Sequence, residues 1–195
     1  QGTSTPEKIG DQQATCLLGW TNTFSYNGFS LSFLIDGRFG GDIFSGTNRM
    51  LQANGVAGCT VVDGARNEFV VDGVIANEDG SYTQSTISVT PQQYWSAVAS
   101  SSGNLGIGEA NLYSATNIRL RNLSLNYTLP KKVLTGTPLQ RVKLGVSCNN
   151  VWMIYSDMNG VDPESVFATS TNATGFENAS SPTSRTFLFN VTLGF

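Results

Sequence analysis

Arg185-Thr186-Phe187-Leu188-Phe189-Asn190-Val191-Thr192-Leu193-Gly194-Phe195 is the stretch whose reading decides the fold. Phe187, Phe189, Val191, Leu193 and Phe195 are apolar, while Thr186, Asn190, Thr192 and Gly194 are small or polar; Leu188 is the exception. Side chains alternate faces along a strand, so the segment is a ribbon with one greasy and one polar face. About 11 residues is also what a tilted strand needs to cross a bilayer. A strand of a soluble sandwich alternates in the same way. The rest of the chain has to choose between the two.

The same alternation recurs upstream. Residues 14–26 carry Ala14, Cys16, Leu18, Trp20, Phe24 and Tyr26 on one face, with Asn22 interrupting it. Asn27-Gly28 supplies the positive φ values of a two-residue type I′ hairpin. Residues 29–39 resume with Phe29, Leu31, Phe33 and Ile35 opposite Ser30, Ser32, Asp36 and Arg38. Residues 117–129 alternate cleanly from Leu123 to Leu129, but Ile118 and Leu120 are in the opposite phase. Either a bulge near Asn122 reconciles the halves, or Arg119 and Arg121 lie above the membrane, where phase hardly matters. Residues 141–152 set Val142, Leu144, Val146 and Cys148 against Arg141, Lys143, Gly145 and Ser147. The pattern predicts that Leu18, Trp20, Phe24, Phe29, Leu31, Phe33, Leu125, Val142, Leu144, Val146, Phe187, Phe189 and Val191 share one exposed face.

Between these ribbons, short and long connections alternate: Asn27-Gly28, then 40–115, then 130–140, then 153–184. Short turns on one side and long loops on the other are the habit of outer-membrane barrels. That arrangement brings Tyr26, Phe29, Tyr127 and Phe195 to one level as an aromatic girdle. In the first long loop, helical turns are expected in 42–51 and in 92–99, where Thr90-Pro91 is an N-cap followed by Pro. Small strands are expected at 69–71 and 86–89.

Composition closes several functional classes. Charged residues are 13% of the chain, well below the roughly 25% of ordinary soluble domains. The net charge of −3 offers no basic stripe for nucleic acid. There is no histidine, which removes imidazole triads and His-ligated metal. Cys16, Cys59 and Cys148 form no CxxC pair; Cys16 and Cys148 read as small hydrophobes, and the redox state of Cys59 is open. No metal and no cofactor is expected. No carboxylate pair is marked by its context, so the chain is not read as an enzyme. The Asn-x-Ser/Thr triplets at Asn122, Asn126, Asn172, Asn178 and Asn190 are discounted as glycosylation sites. Gln1 is not followed by a secretory h-region, so a removed signal or an upstream portion is expected.

With these residues in hand, the chain resembles the carboxy-terminal part of the SusC/RagA-like TonB-dependent outer-membrane transporters. The pieces that carry the resemblance run in order: 21–26 followed by Asn27-Gly28, then SFLIDGRFGGD at 32–42, VVDGV at 70–74 and Tyr82-Thr83. IRLRNLSLNYTLPK at 118–131, 149–152, Asp162-Pro163-Glu164 and RTFLF at 185–189 follow. Asn190 stands where the family commonly has glycine, and 61–66 matches loosely.

The resemblance implies an all-β fold, an antiparallel up-and-down meander making the last five strands of a transmembrane barrel of about 22 strands. Those strands would span about 14–26, 29–39, 117–129, 141–152 and 185–195, with extracellular loops at 40–115 and 153–184. The plug and TonB box would be absent. The implied function is part of an outer-membrane importer of oligosaccharides or peptides in a Gram-negative bacterium, not competent for transport alone. Implied partners are the rest of the parent's barrel and plug, outer-membrane lipid, a SusD-like surface lipoprotein and the TonB energy-coupling complex. The alternative is a secreted carbohydrate-binding β-sandwich.

Candidate site residues follow. Asp36, Arg38, Lys143 and Asn149 lie on the lumen parity, where they line a solute path or pair with one another or the plug. Tyr94 and Trp95 stack on a sugar ring or anchor their loop's own core. Asp157, Asp162 and Glu164 are either a set of oxygen ligands for a cation or solvated turn residues. As the resemblance implies, Phe187, Phe189, Leu193 and Phe195 would form a barrel-assembly signal.

Overall fold

A computed structural model describes residues 7–100, 106–158, 160–166 and 174–195. In chain order the elements are β1 (Cys16–Tyr26), β2 (Phe29–Phe39), β3 (Asp42–Ser45), α1 (Gly46–Ala53), β4 (Phe69–Val70), β5 (Val74–Ala76), β6 (Tyr82–Gln84) and β7 (Ser88–Val89). Then follow α2 (Pro91–Val98), β8 (Leu112–Ser114), β9 (Asn117–Thr128), α3 (Lys131–Leu134), β10 (Arg141–Ser156), β11 (Phe176–Glu177) and β12 (Thr186–Gly194). The chain divides into two compact units, one around the long strands and one built mainly from Phe44–Leu112.

The first unit is a sheet in the order β1-β2-β9-β10-β12, antiparallel throughout. Among the described residues it is open: β1 has only β2 beside it, and β12 only β10. Residues opposite one another share a face, so the register shows how the ribbons combine. Phe24, Leu31, Leu125, Val146 and Phe189 form one row across all the strands. Tyr26, Phe29, Tyr127, Leu144 and Val191 form the next. The alternate rows are polar: Thr23, Ser32, Ser124, Ser147 and Leu188, then Ser25, Ser30, Asn126, Gly145 and Asn190.

The apolar face is not covered. Phe189 is 82% exposed, and Leu18, Trp20, Phe24, Phe29, Leu144, Phe187 and Val191 are exposed as well. A soluble monomer rarely leaves more than a few hundred Å² of contiguous apolar surface open. Two packed sheets would have buried these rows, so the sandwich arrangement is not what this chain forms. Val142 departs from the expectation: it is 8% exposed, at the end of β10 that meets the 130–140 connection, whose Leu134 is buried too.

Turns and bulges account for the register. Asn27 (φ 45°) and Gly28 (φ 84°) both take positive φ, as a type I′ hairpin demands. Between β2 and β9 the register slips where Leu34 faces Asn122 and Ile35 faces Leu120, leaving Arg121 as the extra residue. That bulge reverses the phase of β9, so Ile118 and Leu120 rejoin the apolar face while Arg119 goes to the polar one. β10 runs four residues past the expected Trp152, with register shifts of its own against β9 and Asn150 at φ 51°. Asn190, on β12, sits opposite Gly145, and its amide oxygen lies where a Cβ on residue 145 would be; Asn126 Oδ1 is 2.5 Å from the same point. The missing side chain at 145 makes room for the asparagine.

The second unit holds the short elements of the long connection. The helix expected over 42–51 begins only at Gly46, because Ser45 is its N-cap, accepting from Asn48 N–H at 3.1 Å; residues 42–45 are strand instead. Strand β3 pairs in parallel with β11, Phe44 to Phe176 and Ser45 to Glu177. Glu177, 1% exposed, accepts from Ser45 Oγ at 2.8 Å and from the Thr47 hydroxyl. Helix α2 opens with a capping box between Thr90 and Gln93. Strands β4 and β7 pair antiparallel, as do β5 and β6, whose turn places Gly80 at φ 81°.

Candidate functional site

At the end of the sheet away from the short connections, the polar face carries a cluster of charges. The bulge on β9 aims both Arg119 and Arg121 at carboxylates that arrive from other segments. Arg121 donates from Nε and Nη2 to Asp36 Oδ2 on β2, at 2.8 and 2.6 Å. Its Nη1 donates to Glu164 Oε2 at 2.7 Å. Arg119 donates from Nη2 to Asp162 Oδ1 at 2.6 Å and from Nη1 to Thr183 Oγ at 2.6 Å. Thr183 N–H and the Glu164 N–H close on Asp162 at 3.1 and 3.0 Å. Arg119 and Asp162 have only 4% and 10% of their side chains exposed; Arg121, Asp36 and Glu164 are about a third exposed.

The network therefore straps residues 162–164 and Thr183 to the sheet wall. Asp162 accepts from Arg119 on Oδ1 and from Thr183 on Oδ2, and Glu164 accepts from Arg121. Asp36 pairs with Arg121, a partner outside the four residues expected to pair with one another. Asp157 bonds the Tyr155 hydroxyl. Among the described residues no group of His, Cys, Asp or Glu is arranged to hold a metal ion.

Burial pushes the Asp162 carboxyl up, but the bonds from Thr183, Glu164 N–H and Arg119 outweigh it and leave it below the ordinary range. The Arg121 bond holds Glu164 low as well, against its burial, with Arg119 adding to the effect. A carboxylate with a depressed folded pKa stabilises above its unfolded value of about 4 and loses that contribution as pH falls through the folded one. The strap should hold at pH 5–6 and release below about pH 4. Amide exchange across 157–166 during acidification measures it.

The other polar-face residues are placed as follows. Arg38 Nη2 donates to Gln12 C=O at 2.7 Å and lies against Gly41, where a Cβ would come within 2.9 Å. Asn149 Oδ1 accepts from Asn122 Nδ2 at 2.7 Å. Lys143 stands between Thr128 and Thr192. On the opposite face Phe187, Phe189 and Leu193 face Cys148, Val146 and Val142, and Phe195 follows exposed. All three cysteines are free.

In the second unit the geometry separates Tyr94 from Trp95. Tyr94 makes edge contacts with Phe69 (5.3 Å) and Trp95 (5.1 Å), so it belongs to the loop's own aromatic cluster. Trp95 also lines a cleft of about 230 Å³ with Gln52, Asn54, Arg66, Gln92 and Ser96. Neither the strap nor this cleft was recognisable as a site beforehand. The arginines and the Asp-Pro-Glu triplet each stood out, but 43 residues separate Arg119 from Asp162.

The comparisons with known proteins fit this geometry. No protein-family model matches the chain. TonB-dependent receptor P3 of Formosa agariphila is 26% identical over 192 residues, covering 96% of this chain and 17% of that protein. TonB-dependent receptor P39 of the same organism is 30% identical over 160 residues, 80% of this chain and 14% of that protein. The solved structure of the RagAB peptide importer in its closed-closed state superposes with a TM-score of 0.59 at 15% identity, covering all of this chain and 19% of that one. Its open-open state gives 0.57 at 18% identity, covering 92% of this chain and 17% of that one. The chain thus spans less than a fifth of the length of the proteins it matches, and all of these are named as receptors or importers rather than enzymes.

Proposed function

Because this chain is similar to TonB-dependent receptors of the SusC/RagA kind, we propose that it builds a section of the wall of an outer-membrane nutrient importer. The observation that carries this reading is the uncovered apolar face running in register across the sheet. Lipid is the solvent that suits it, while the polar face would line the lumen, with Asp36, Arg38, Lys143 and Asn149 on it. The open edges at β1 and β12 support the same reading. Unpaired backbone groups in hydrocarbon cost several kcal/mol each, so further strands have to close the barrel.

Of the expected girdle, Tyr26, Phe29 and Tyr127 share a row, with Phe29 and Tyr127 stacked at 4.3 Å, while Phe195 lies four residues beyond that row's Val191. The cargo in this reading is an oligosaccharide rather than a peptide, because Trp95 and amide side chains line the cleft of the long loop. A SusD-like lipoprotein would cap the barrel and TonB would act through a plug carried elsewhere in the parent.

The test is reconstitution of the complete polypeptide. It should form a heat-modifiable barrel in detergent micelles and restore oligosaccharide uptake to an outer membrane lacking it. A monodisperse protein in plain buffer that never enters micelles would overturn the proposal in favour of a secreted binding module.

A further inference from the structure

We propose that the cleft between the end of α1 and the start of α2 is a binding subsite for one ring of an acidic saccharide, with Arg66 taking the ring's anionic group and Trp95 its apolar face. The proposal deepens the reading of the cargo as a saccharide, and rests on it for that class alone.

The cation is held at one end and has no anion of its own among the described residues. Arg66 Nη2 donates to Gly55 C=O at 2.6 Å, and no carboxylate among the described residues pairs with it. Gly55 takes φ 68°, and a Cβ there would come within 3.1 Å of Arg66 Nη1, so the glycine is the cradle in which the guanidinium lies. Thr60, buried, donates its one hydroxyl proton to Ala57 C=O at 2.7 Å, shared with the same Gly55 carbonyl at 3.1 Å, which fixes the turn. No Asp or Glu lines the cleft. Arg66 is exposed and held by that one bond, so its guanidinium is open to a carboxylate or sulfate, which it can grip with two parallel bonds.

A second, independent observation comes from Gln52. It lines the cleft at 5% exposure; its Oε1 accepts from Asn111 Nδ2 at 2.9 Å, while its Nε2 has no partner among the described residues. That donor is not sealed off from solvent, so it stands open in the cleft and suits an incoming hydroxyl. The exposed Gln92 and Ser96 add polar groups on the rim. The Trp95 ring meets Tyr94 edge to face at 88°, a geometry that covers at most one face of either ring. A half-buried tryptophan on the cleft beside hydroxyl-matching groups favours a sugar over a peptide. At about 230 Å³ the cleft lies below the roughly 300–1,000 Å³ of drug-sized pockets, so a single ring fits it and the rest of the chain runs outside.

The experiment uses the complete transporter in detergent micelles, in a Trp20→Phe/Trp152→Phe background that leaves Trp95 as the reporting tryptophan of this chain. Trigalacturonate, neutral galactotriose and an acidic tripeptide are titrated in turn against its fluorescence. Trigalacturonate should bind saturably, with affinity that weakens as salt is raised. Arg66→Gln, which keeps a donor for Gly55 C=O, should weaken that binding about tenfold or more and remove its salt dependence. Its weak binding of the neutral trimer should be unchanged. In the fluorescent background alone, Gln52→Leu should weaken both saccharides. Equal binding of neutral and acidic trimers, preference for the tripeptide, or an Arg66→Gln protein that binds as wild type would each overturn the subsite. The same preparation is checked for heat-modifiable barrel: an assembled barrel that ignores trigalacturonate sinks the subsite alone, and trigalacturonate binding without a barrel sinks the membrane reading alone.

Discussion

Phe189→Arg should cost the assembled wall about 2–4 kcal/mol, and Leu188→Arg less than about 1 kcal/mol. The two positions are neighbours on β12, both apolar and both exposed. They differ in face. Phe189 stands in the row with Val146, Leu125, Leu31 and Phe24, six residues from Phe195 and so near the middle of the strand in the proposed membrane wall. Arginine at the lipid-facing midplane of a barrel carries that penalty, whereas a lumen-facing position stays in polar surroundings. Leu188 faces Ser147 and the row of Ser124, Ser32 and Thr23. In a soluble protein both substitutions at such exposed sites would fall within about 0.5 kcal/mol of neutral. Denaturant unfolding of the barrel from lipid vesicles measures the pair, and equal costs would mean that β12 does not separate lipid from lumen.

Asp162→Ala should destabilise the strap by about 3–5 kcal/mol. Removing one partner of a buried ion pair leaves the other charge poorly compensated, here with Glu164 Oε2 3.6 Å from Arg119 Nη1 as its remaining anion, and that penalty exceeds the worth of the pair itself. Arg119 is well placed to suffer it: it is almost completely buried and its Nε already has no partner. Its remaining donor would lean on Thr183, which Asp162 now positions. The double variant Asp162→Leu/Arg119→Met removes both charges and should recover most of the loss. Protease cleavage within 157–166 reads the result. A cost under 1 kcal/mol for Asp162→Ala, or no recovery in the double variant, would show that the segment is held by something else.

What the sequence displayed and what it concealed divide along a physical line. Period-two alternation is a local property, so the five long strands, the Asn27-Gly28 hairpin and the phase reversal around Asn122 could all be read from neighbouring residues. The edge between β3 and α1 could not, because Ser45 looks like any polar residue until its hydroxyl is seen capping Asn48. The extension of β10 past Trp152 depends on shifts in register against β9, which local alternation does not carry. Pairings of side chains are harder still. Arg119 meets Asp162, and Arg66 meets the helices that bear Gln52 and Trp95, only because the intervening chain folds back. Residue type marked these groups as polar; their partners were a matter of topology. Tyr94 and Trp95, adjacent and equally aromatic, illustrate the limit, since only the packing against Phe69 separates the core residue from the one on the cleft.

The most direct test of the membrane wall is a nitroxide scan of residues 186–193 in the complete protein reconstituted in lipid vesicles. Each position is labelled in turn through an introduced cysteine, with Cys16, Cys59 and Cys148 replaced by alanine or serine, and collision with oxygen is compared with collision with a water-soluble nickel chelate. The account predicts a period of two: oxygen-accessible at Phe187, Phe189, Val191 and Leu193, chelate-accessible or protein-shielded at Thr186, Leu188, Asn190 and Thr192. Odd positions that are shielded from oxygen, or that meet the chelate as readily as the even ones do, would contradict it.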